Sequence, residues 1–331
     1  MTATPPIVRS SRPTILVAES DGFSAEALDR LRARGHVVTA DLDRAGLLAA
    51  VRDADVLWVR LRTRIDDEVL AAAPRLRVVV SNTTGLNHID LECADRRGIR
   101  VLSLRGDTAF LQTVRGTAEL TLALILALVR RLPAAASHAA SGGWDRYPFK
   151  GHDLYGRTAG IVGFGRLGGI VSTYLRALGM RVLATTLAPV PTEGVTFVPL
   201  DDLLRESDVV TVHVDLNPST RGLLAAREFG VMKHGAWLVN TARGEVIDER
   251  ALLDALENGR LRGAALDVVA NEPPAGGARH PLIAYAASHD NLILTPHIGG
   301  YTFESLERTE LHLAARLLRV LDGDDGAVAT S

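Results

Sequence analysis

Short apolar runs alternate with stretches of helical period along nearly the whole chain. Residues 14–18, 37–40, 56–59 and 76–80 have the length and β-branched content of buried strands. Between and after them, Ala25, Leu28 and Leu31, then residues 47–51, then residues 91–97 repeat with helical spacing. Residues 117–132 follow as a helix that is apolar all round and ends before Pro133; it is read as the connector between domains and as a candidate association surface. Further strands are predicted at 180–184, 209–212, 237–240, 264–267 and 292–295, with helices at 249–257 and 303–321. Strands alternating with helices predict an α/β fold with mostly parallel sheets, which place ligands at the carboxyl ends of their strands.

One stretch in this pattern carries chemistry. Thr158-Ala-Gly-Ile-Val-Gly-Phe-Gly-Arg-Leu-Gly168 takes a strand at 160–162 through a glycine loop into a helix marked by Ile170, Tyr174, Leu175 and Leu178. Gly163 permits the tight turn, Gly165 lets a pyrophosphate approach the backbone, and Gly168 lets the helix pack closely on the strand, with free N–H groups at the helix start facing the phosphates. The first hundred residues hold no such loop and are the candidate substrate-holding domain. An acidic residue is expected about 20 residues after the loop to hold the adenosine ribose. Thr185-Thr186-Leu187 stands there instead, and no Arg or Lys follows before Pro199. The expected cofactor is NAD, with NADP not excluded.

Composition narrows the classes. The chain has 331 residues, 47% hydrophobic and 23% charged, with a net charge of −2. That is ordinary for a soluble globular enzyme and leaves room for two domains, and it gives no reason to expect nucleic acid or an anionic membrane as partner. Lys150 and Lys233 are the only lysines, so positive charge is almost all arginine. Cys93 stands alone, which excludes an intrachain disulfide and suits a reducing cytosol. Met1–Pro13 reads as a frayed lead-in without a signal-peptide core, and the most apolar run, 120–129, is shorter than the roughly 20 residues that cross a bilayer and reads as a buried helix, so a cytoplasmic location is expected. His36, His88, His138, His152 and His213 are scattered, with no H-E-x-x-H and no G-x-S-x-G, so neither a metal site nor a serine nucleophile is read.

Three ionisable residues stand just after predicted strands of the second domain: Arg243 in Asn240-Thr-Ala-Arg-Gly244, Glu272 in Asp267-Val-Val-Ala-Asn-Glu-Pro273, and His297 in Thr295-Pro-His-Ile-Gly299. Arginine can grip a carboxylate and polarise a neighbouring carbonyl, histidine can exchange a proton, and a carboxylate beside it can hold its orientation. Together, downstream of a dinucleotide loop, they form the expected hydride-transfer site, converging on one cleft.

These segments, with Gly163-Phe-Gly-Arg-Leu-Gly168, resemble the D-isomer-specific 2-hydroxyacid dehydrogenase family, nearest its phosphoglycerate dehydrogenase-like branch, over almost the entire chain. The resemblance implies two doubly wound parallel-sheet domains, Rossmann-like and flavodoxin-like, with a cleft between them. Residues 1–112 would begin the substrate domain, 113–298 form the cofactor domain, and 299–331 return as a closing helix, with no regulatory domain read beyond it. It implies Arg243 for substrate binding, His297 as acid/base and Glu272 as its partner. On the cofactor side it implies Gly163, Gly165, Arg166, Leu167, Gly168, Thr186, Val214, Thr241, Asp267 at the nicotinamide carboxamide, His297, Gly299 and Gly300. Thr84 and Gly85 would take the substrate carboxylate, and Arg60 a second anionic group, phosphate, phosphonate or carboxylate, on a 2-oxo acid reduced to the (R)-2-hydroxy acid. Asp215 stands where the family often has proline, and the arginine-bearing connector 104–116 is long for the branch. A homodimer is expected. The alternatives are a glyoxylate/hydroxypyruvate reductase-like enzyme and an NAD(H)-sensing corepressor-like interaction protein, since family corepressors keep the same trio.

Overall fold

The computed structural model describes residues 12–272 and 280–323, so most of the lead-in at Met1–Pro13 lies outside the described residues. The chain divides into two compact units, Met1–Val114 with Thr302–Ser331, and Arg115–Tyr301.

The first unit runs β1 (Thr14–Val17), α1 (Ala25–Arg32), β2 (His36–Thr39), α2 (Arg44–Ala50), β3 (Val56–Val59), α3 (Asp67–Ala71), β4 (Val78–Ser81), α4 (Leu91–Arg96), β5 (Arg100–Ser103) and α5 (Thr108–Leu111). Its five strands are parallel in the order β2-β1-β3-β4-β5, the flavodoxin-like winding. Successive side chains alternate between faces. Ile15, Val17, Trp58 and Val80 pack on one side, and Leu16, Leu57, Val59 and Val79 on the other. Burial on both faces is why these strands read as unbroken apolar runs. The connector read at 104–116 contains α5, whose start is fixed by Asp107 accepting the Phe110 N–H.

The second unit runs α6 (Gly116–Val129), α7 (Leu132–Ala140), β6 (Thr158–Val162), α8 (Arg166–Ala177), β7 (Arg181–Thr185), β8 (Val195–Phe197), α9 (Leu200–Glu206), β9 (Val209–Val212), α10 (Ala226–Val231), β10 (Ala236–Asn240), α11 (Glu249–Glu257), β11 (Leu261–Leu266), α12 (Pro281–Ala286) and β12 (Leu292–Leu294). Helix α13 (Phe303–Leu321) then belongs to the first unit, where Leu313 and Leu317 join Ile15 and Val17 in one core. The seven strands are parallel in the order β12-β11-β10-β9-β6-β7-β8. The chain winds one way from β6 through β7 to β8 and the other way from β9 to β12. That is the Rossmann winding, and its switch point lies between β6 and β9, at the end of the glycine-loop strand.

The predicted helix 117–132 is two helices. It ends at Val129, Arg131 takes a left-handed conformation with φ 54°, and α7 starts with Pro133 in its first turn, where a missing N–H is harmless. Thr108–Val129 has the length and composition of a membrane span, more than the short run read in the sequence. It comprises α5 and α6 with a break between them, and Leu124, Ile125, Leu128 and Val129 are buried in α6's own unit. Helix α6 packs on α8, β10 and β11, as part of the second unit's core.

Candidate active site

Strand β6 is buried along its whole length and delivers the glycine loop. Gly163 sits at φ +94°, and a Cβ there would lie 2.7 Å from the His213 carbonyl and the Val214 side chain. A Cβ on Gly168 would lie 2.3 Å from the Gly163 carbonyl oxygen, so helix and strand touch through that glycine. At Gly165 a Cβ would meet nothing within 4 Å. Gly165 is the N-cap of α8 and offers no side chain to its free N–H groups, which leaves a cradle for an anion. Burial lowers the pKa of Arg166, and the nearby charge of Arg115 lowers it further. Two guanidinium groups crowded beside uncapped helix amides are a site suited to pyrophosphate. Leu167 is half-buried in the first turn of α8, and Thr186 half-buried just past β7.

Thr241, expected on the cofactor side, is buried with its hydroxyl 2.8 Å from that of Thr121. Thr121 gives its own proton to the Thr117 carbonyl, so Thr241 is the donor of the pair and keeps only acceptor capacity.

Strands β10, β11 and β12 are neighbours in register, with Asn240 opposite Leu266 and Leu266 opposite Leu294. Arg243, Glu272 and His297 therefore leave the same edge of the sheet. Asn240, fully buried, donates to the Arg243 carbonyl at 2.9 Å and accepts from the Ala242 N–H at 2.9 Å, which shapes the arginine loop. A Cβ on Gly244 would lie 2.0 Å from the Val269 carbonyl carbon, so the Arg243 loop rests directly on the segment leading to Glu272.

His297 Nδ1 lies 2.7 and 2.9 Å from the two Glu272 carboxylate oxygens. The carboxylate can only accept, so Nδ1 carries the proton towards it and Nε2 is left to face a reactant. His297 holds φ 53°, a left-handed conformation that costs a non-glycine residue about 1–3 kcal/mol and persists only where surroundings impose it. Asp267 imposes it. Its main-chain oxygen accepts the His297 N–H at 2.9 Å, Oδ1 accepts from Thr295 Oγ1 at 2.5 Å and Ile298 N–H at 2.9 Å, and Oδ2 accepts from Gly299 N–H at 2.8 Å. Burial pushes the Asp267 carboxyl up, and these donors together with the His297 charge oppose the rise. Asp267 was expected against the nicotinamide carboxamide. It is 1% exposed and folds the turn that carries His297, with both carboxylate oxygens engaged. Gly299 has no room for a side chain, since a Cβ would lie 3.0 Å from Asp267 Oδ2; Gly300 is open. Glu272 and His297 form part of the wall of a 740 Å³ cavity lined mostly by apolar residues, including Val269, Ile283 and Leu294, with Ser137, His289 and Asp290 among its polar members.

In the first unit, the Thr84 and Gly85 N–H groups follow β4 and have no acceptor among the described residues. Thr83 Oγ1 donates to the Gly85 carbonyl at 2.8 Å and shapes that loop. Arg60 departs from expectation. Its Nη2 lies 2.6 Å from Glu310 Oε1 and its Nη1 donates to the Asp21 carbonyl at 2.7 Å; Glu310 is fully buried. Burial raises the Glu310 pKa, opposed by the Ser24 N–H and Arg60. A guanidinium expected to receive a phosphate is thus already neutralised, because β3 ends against α13.

Residues 122–299 match the family model of the D-isomer specific 2-hydroxyacid dehydrogenase NAD binding domain. The chain belongs to this family. It is 36% identical over 317 residues to the D-3-phosphoglycerate dehydrogenase of Methanocaldococcus jannaschii, covering 94% of this chain and 58% of that one. The TT0316 protein of Thermus thermophilus has a TM-score of 0.82 and 40% identity, with 94% of this chain and 97% of that chain covered. The D-lactate dehydrogenase of Aquifex aeolicus, complexed with NAD and lactic acid, has a TM-score of 0.81 and 28% identity, covering 94% and 96%. The chain spans little more than half the length of the curated relatives it matches. The motifs thus lead to this D-2-hydroxyacid dehydrogenase family, in its phosphoglycerate dehydrogenase-like branch, and to its two parallel-sheet α/β domains.

Two contributors to this family site escaped the sequence reading. Asn240 was visible inside the arginine motif but reads there as a turn residue. Glu249 accepts the Ala270 N–H at 2.6 Å and lies 3.2 Å from His280 Nε2; nothing in its helical spacing marks it.

Proposed function

We propose that the chain is an NAD(H)-linked oxidoreductase that interconverts a small 2-oxo acid and its (R)-2-hydroxy acid. The observation that carries this reading is the His297–Glu272 pair, held by Asp267 on the strand edge that also carries Arg243. A bound nicotinamide supplies the hydride. The uncapped start of α8, with Arg115 and Arg166 beside it, holds the pyrophosphate. Arg243 binds the substrate carboxylate and polarises its carbonyl. His297 Nε2 gives the carbonyl oxygen its proton, while Glu272 fixes the ring. Thr186 at the ribose edge supports NAD with weak discrimination against NADP. A cytoplasmic homodimer completes the reading.

The curated relatives named D-3-phosphoglycerate dehydrogenase support a substrate with a second anionic group. The buried Arg60–Glu310 pair favours a second reading, a monoanionic 2-oxo acid, the class acted on by structural neighbours named glyoxylate reductase and D-lactate dehydrogenase. A panel of mono- and dianionic 2-oxo acids with NADH and NADPH separates them by kcat/KM. His297→Ala is expected to lose at least a hundredfold in kcat with NADH binding intact. Wild-type kcat in that variant would remove His297 from the mechanism.

A further inference from the structure

A second carboxylate–imidazole pair lies behind the first. Glu249, the first residue of α11, accepts the Ala270 N–H through Oε1 at 2.6 Å. Its Oε2 lies 3.2 Å from His280 Nε2, which is also 3.2 Å from the Ala270 carbonyl oxygen. Both polar main-chain groups of Ala270 are therefore held by one pair of side chains, themselves only 20% and 10% exposed. The Val269–Ala270 peptide is closed off from the other side by Gly244, where a Cβ would come within 2.2 Å of the Ala270 nitrogen. Ala270 stands two residues before Glu272. Between them, Asn271 is left-handed at φ 49°, a conformation that must be imposed by its neighbours.

We infer that Glu249 and His280 are positioning residues: by gripping Ala270 they set the angle at which Glu272 meets His297 and keep the Arg243–Gly244 loop seated against the same peptide. This rests on the reading of His297 as the proton donor. The geometry argues for a positioning role over general stability for two reasons. The pair's contacts converge on the one residue from which the left-handed turn to Glu272 begins. They also hold the peptide groups on both sides of its Cα, the Val269–Ala270 peptide by its N–H and the Ala270–Asn271 peptide by its carbonyl, which restrains rotation as well as position. Burial pushes the Glu249 carboxyl up, with the Ala270 N–H and His280 opposing the rise. The carboxylate is thus kept in a half-buried place where its hydrogen bonds matter.

Glu249→Ala removes the grip, whereas Glu249→Gln keeps a carbonyl oxygen for the Ala270 N–H. Steady-state kinetics should show kcat reduced tenfold or more in Glu249→Ala, KM for NADH within twofold of wild type, and at least a third of kcat retained in Glu249→Gln. His280→Ala should follow Glu249→Ala, which keeps the test open if one variant fails to fold. A readout independent of turnover is the His297 Nδ1–H proton bonded to Glu272, followed by nitrogen-edited NMR of labelled imidazoles. It should be present in wild type and Glu249→Gln, and lost in Glu249→Ala as in Glu272→Ala. Unchanged kcat and an unchanged imidazole proton in both Ala variants would overturn the inference, as would equal losses in Glu249→Gln and Glu249→Ala. If wild type turns over no 2-oxo acid, the dehydrogenase reading fails, and the imidazole proton alone then decides whether the grip exists.

Discussion

Arg60 and Glu310 are 250 positions apart in the chain, and their pairing inside the first unit alters what a substitution at Arg60 should do. Removing one member of a buried ion pair leaves the other charge without compensation, at a cost of about 3–5 kcal/mol. Arg60→Ala is therefore expected to lower stability by that amount in urea denaturation. Arg60→Met with Glu310→Leu should recover most of it, since apolar replacement of a whole buried pair is often neutral. A stable Arg60→Ala protein with a tenfold higher KM for a dianionic oxo acid would return Arg60 to the substrate. His213 supports a pH prediction. Burial lowers its pKa to about 4, and its Nδ1 is buried without a partner among the described residues. An unfolded histidine titrates near 6.5, so between these values the unfolded state binds the proton and the native state does not. The contribution is whole above about pH 6.5 and is lost as pH falls towards 4, by up to about 3 kcal/mol. His213→Gln should flatten that acid limb; identical pH profiles of urea midpoints in variant and wild type would contradict it. Residue types made Arg243, Glu272 and His297 legible in the sequence, because each follows a strand and each has a distinct task. The partners of Arg60 and Asp267 were not legible, because a side chain's counter-charge is chosen by packing between segments far apart.

Helices and strands were read best where both faces of a sheet are covered. The four-residue runs of β1, β3 and β9 are apolar but for Thr14 and Thr211, because both faces of these strands are covered. Strands β5 and β8 were missed. Both lie at sheet edges and are short, and β5 opens with an arginine, so little of the apolar signal survives. Helix α6 was legible in part. Its run 120–129 reads as a buried helix, and α6 does bury Ala118, Leu124, Ile125, Leu128 and Val129 in its own unit, but uniform apolarity hides which side is inside, which is why the sequence also suggested a connector and an association surface. Ile125→Ala, at a position with no exposed surface, should destabilise by about 2–5 kcal/mol, whereas substituting the exposed Ala123 by Ser should stay within about 0.5 kcal/mol. Equal effects at the two positions, read as guanidinium midpoints, would mean that α6 is not packed as described.

At the scale of the whole molecule, the winding order explains how motifs spread over more than a hundred residues come to the same edge: a parallel sheet gathers the carboxyl ends of β6, β9, β10, β11 and β12 there. Self-association is a different matter, because it depends on surface that strand periodicity does not report. Apolar surface left uncovered in the second unit includes α7 and the segment after it, besides Tyr155, Leu187 and Val190. Helix α7 has no buried residue, Leu132 is 50% exposed, and Trp144 and Tyr147 are 94% and 80% exposed. Large aromatic side chains exposed to water mark an interaction surface, and the partner it is expected to meet is a second copy of the chain, as in the proposed homodimer. Sedimentation equilibrium at micromolar concentration should give twice the 35.4 kDa chain mass for the wild type. Replacing Trp144 with Asp and Tyr147 with Ser should bring it towards one chain mass while leaving far-ultraviolet circular dichroism unchanged. A wild-type monomer, or a dimer indifferent to both substitutions, would mean that this surface serves another purpose.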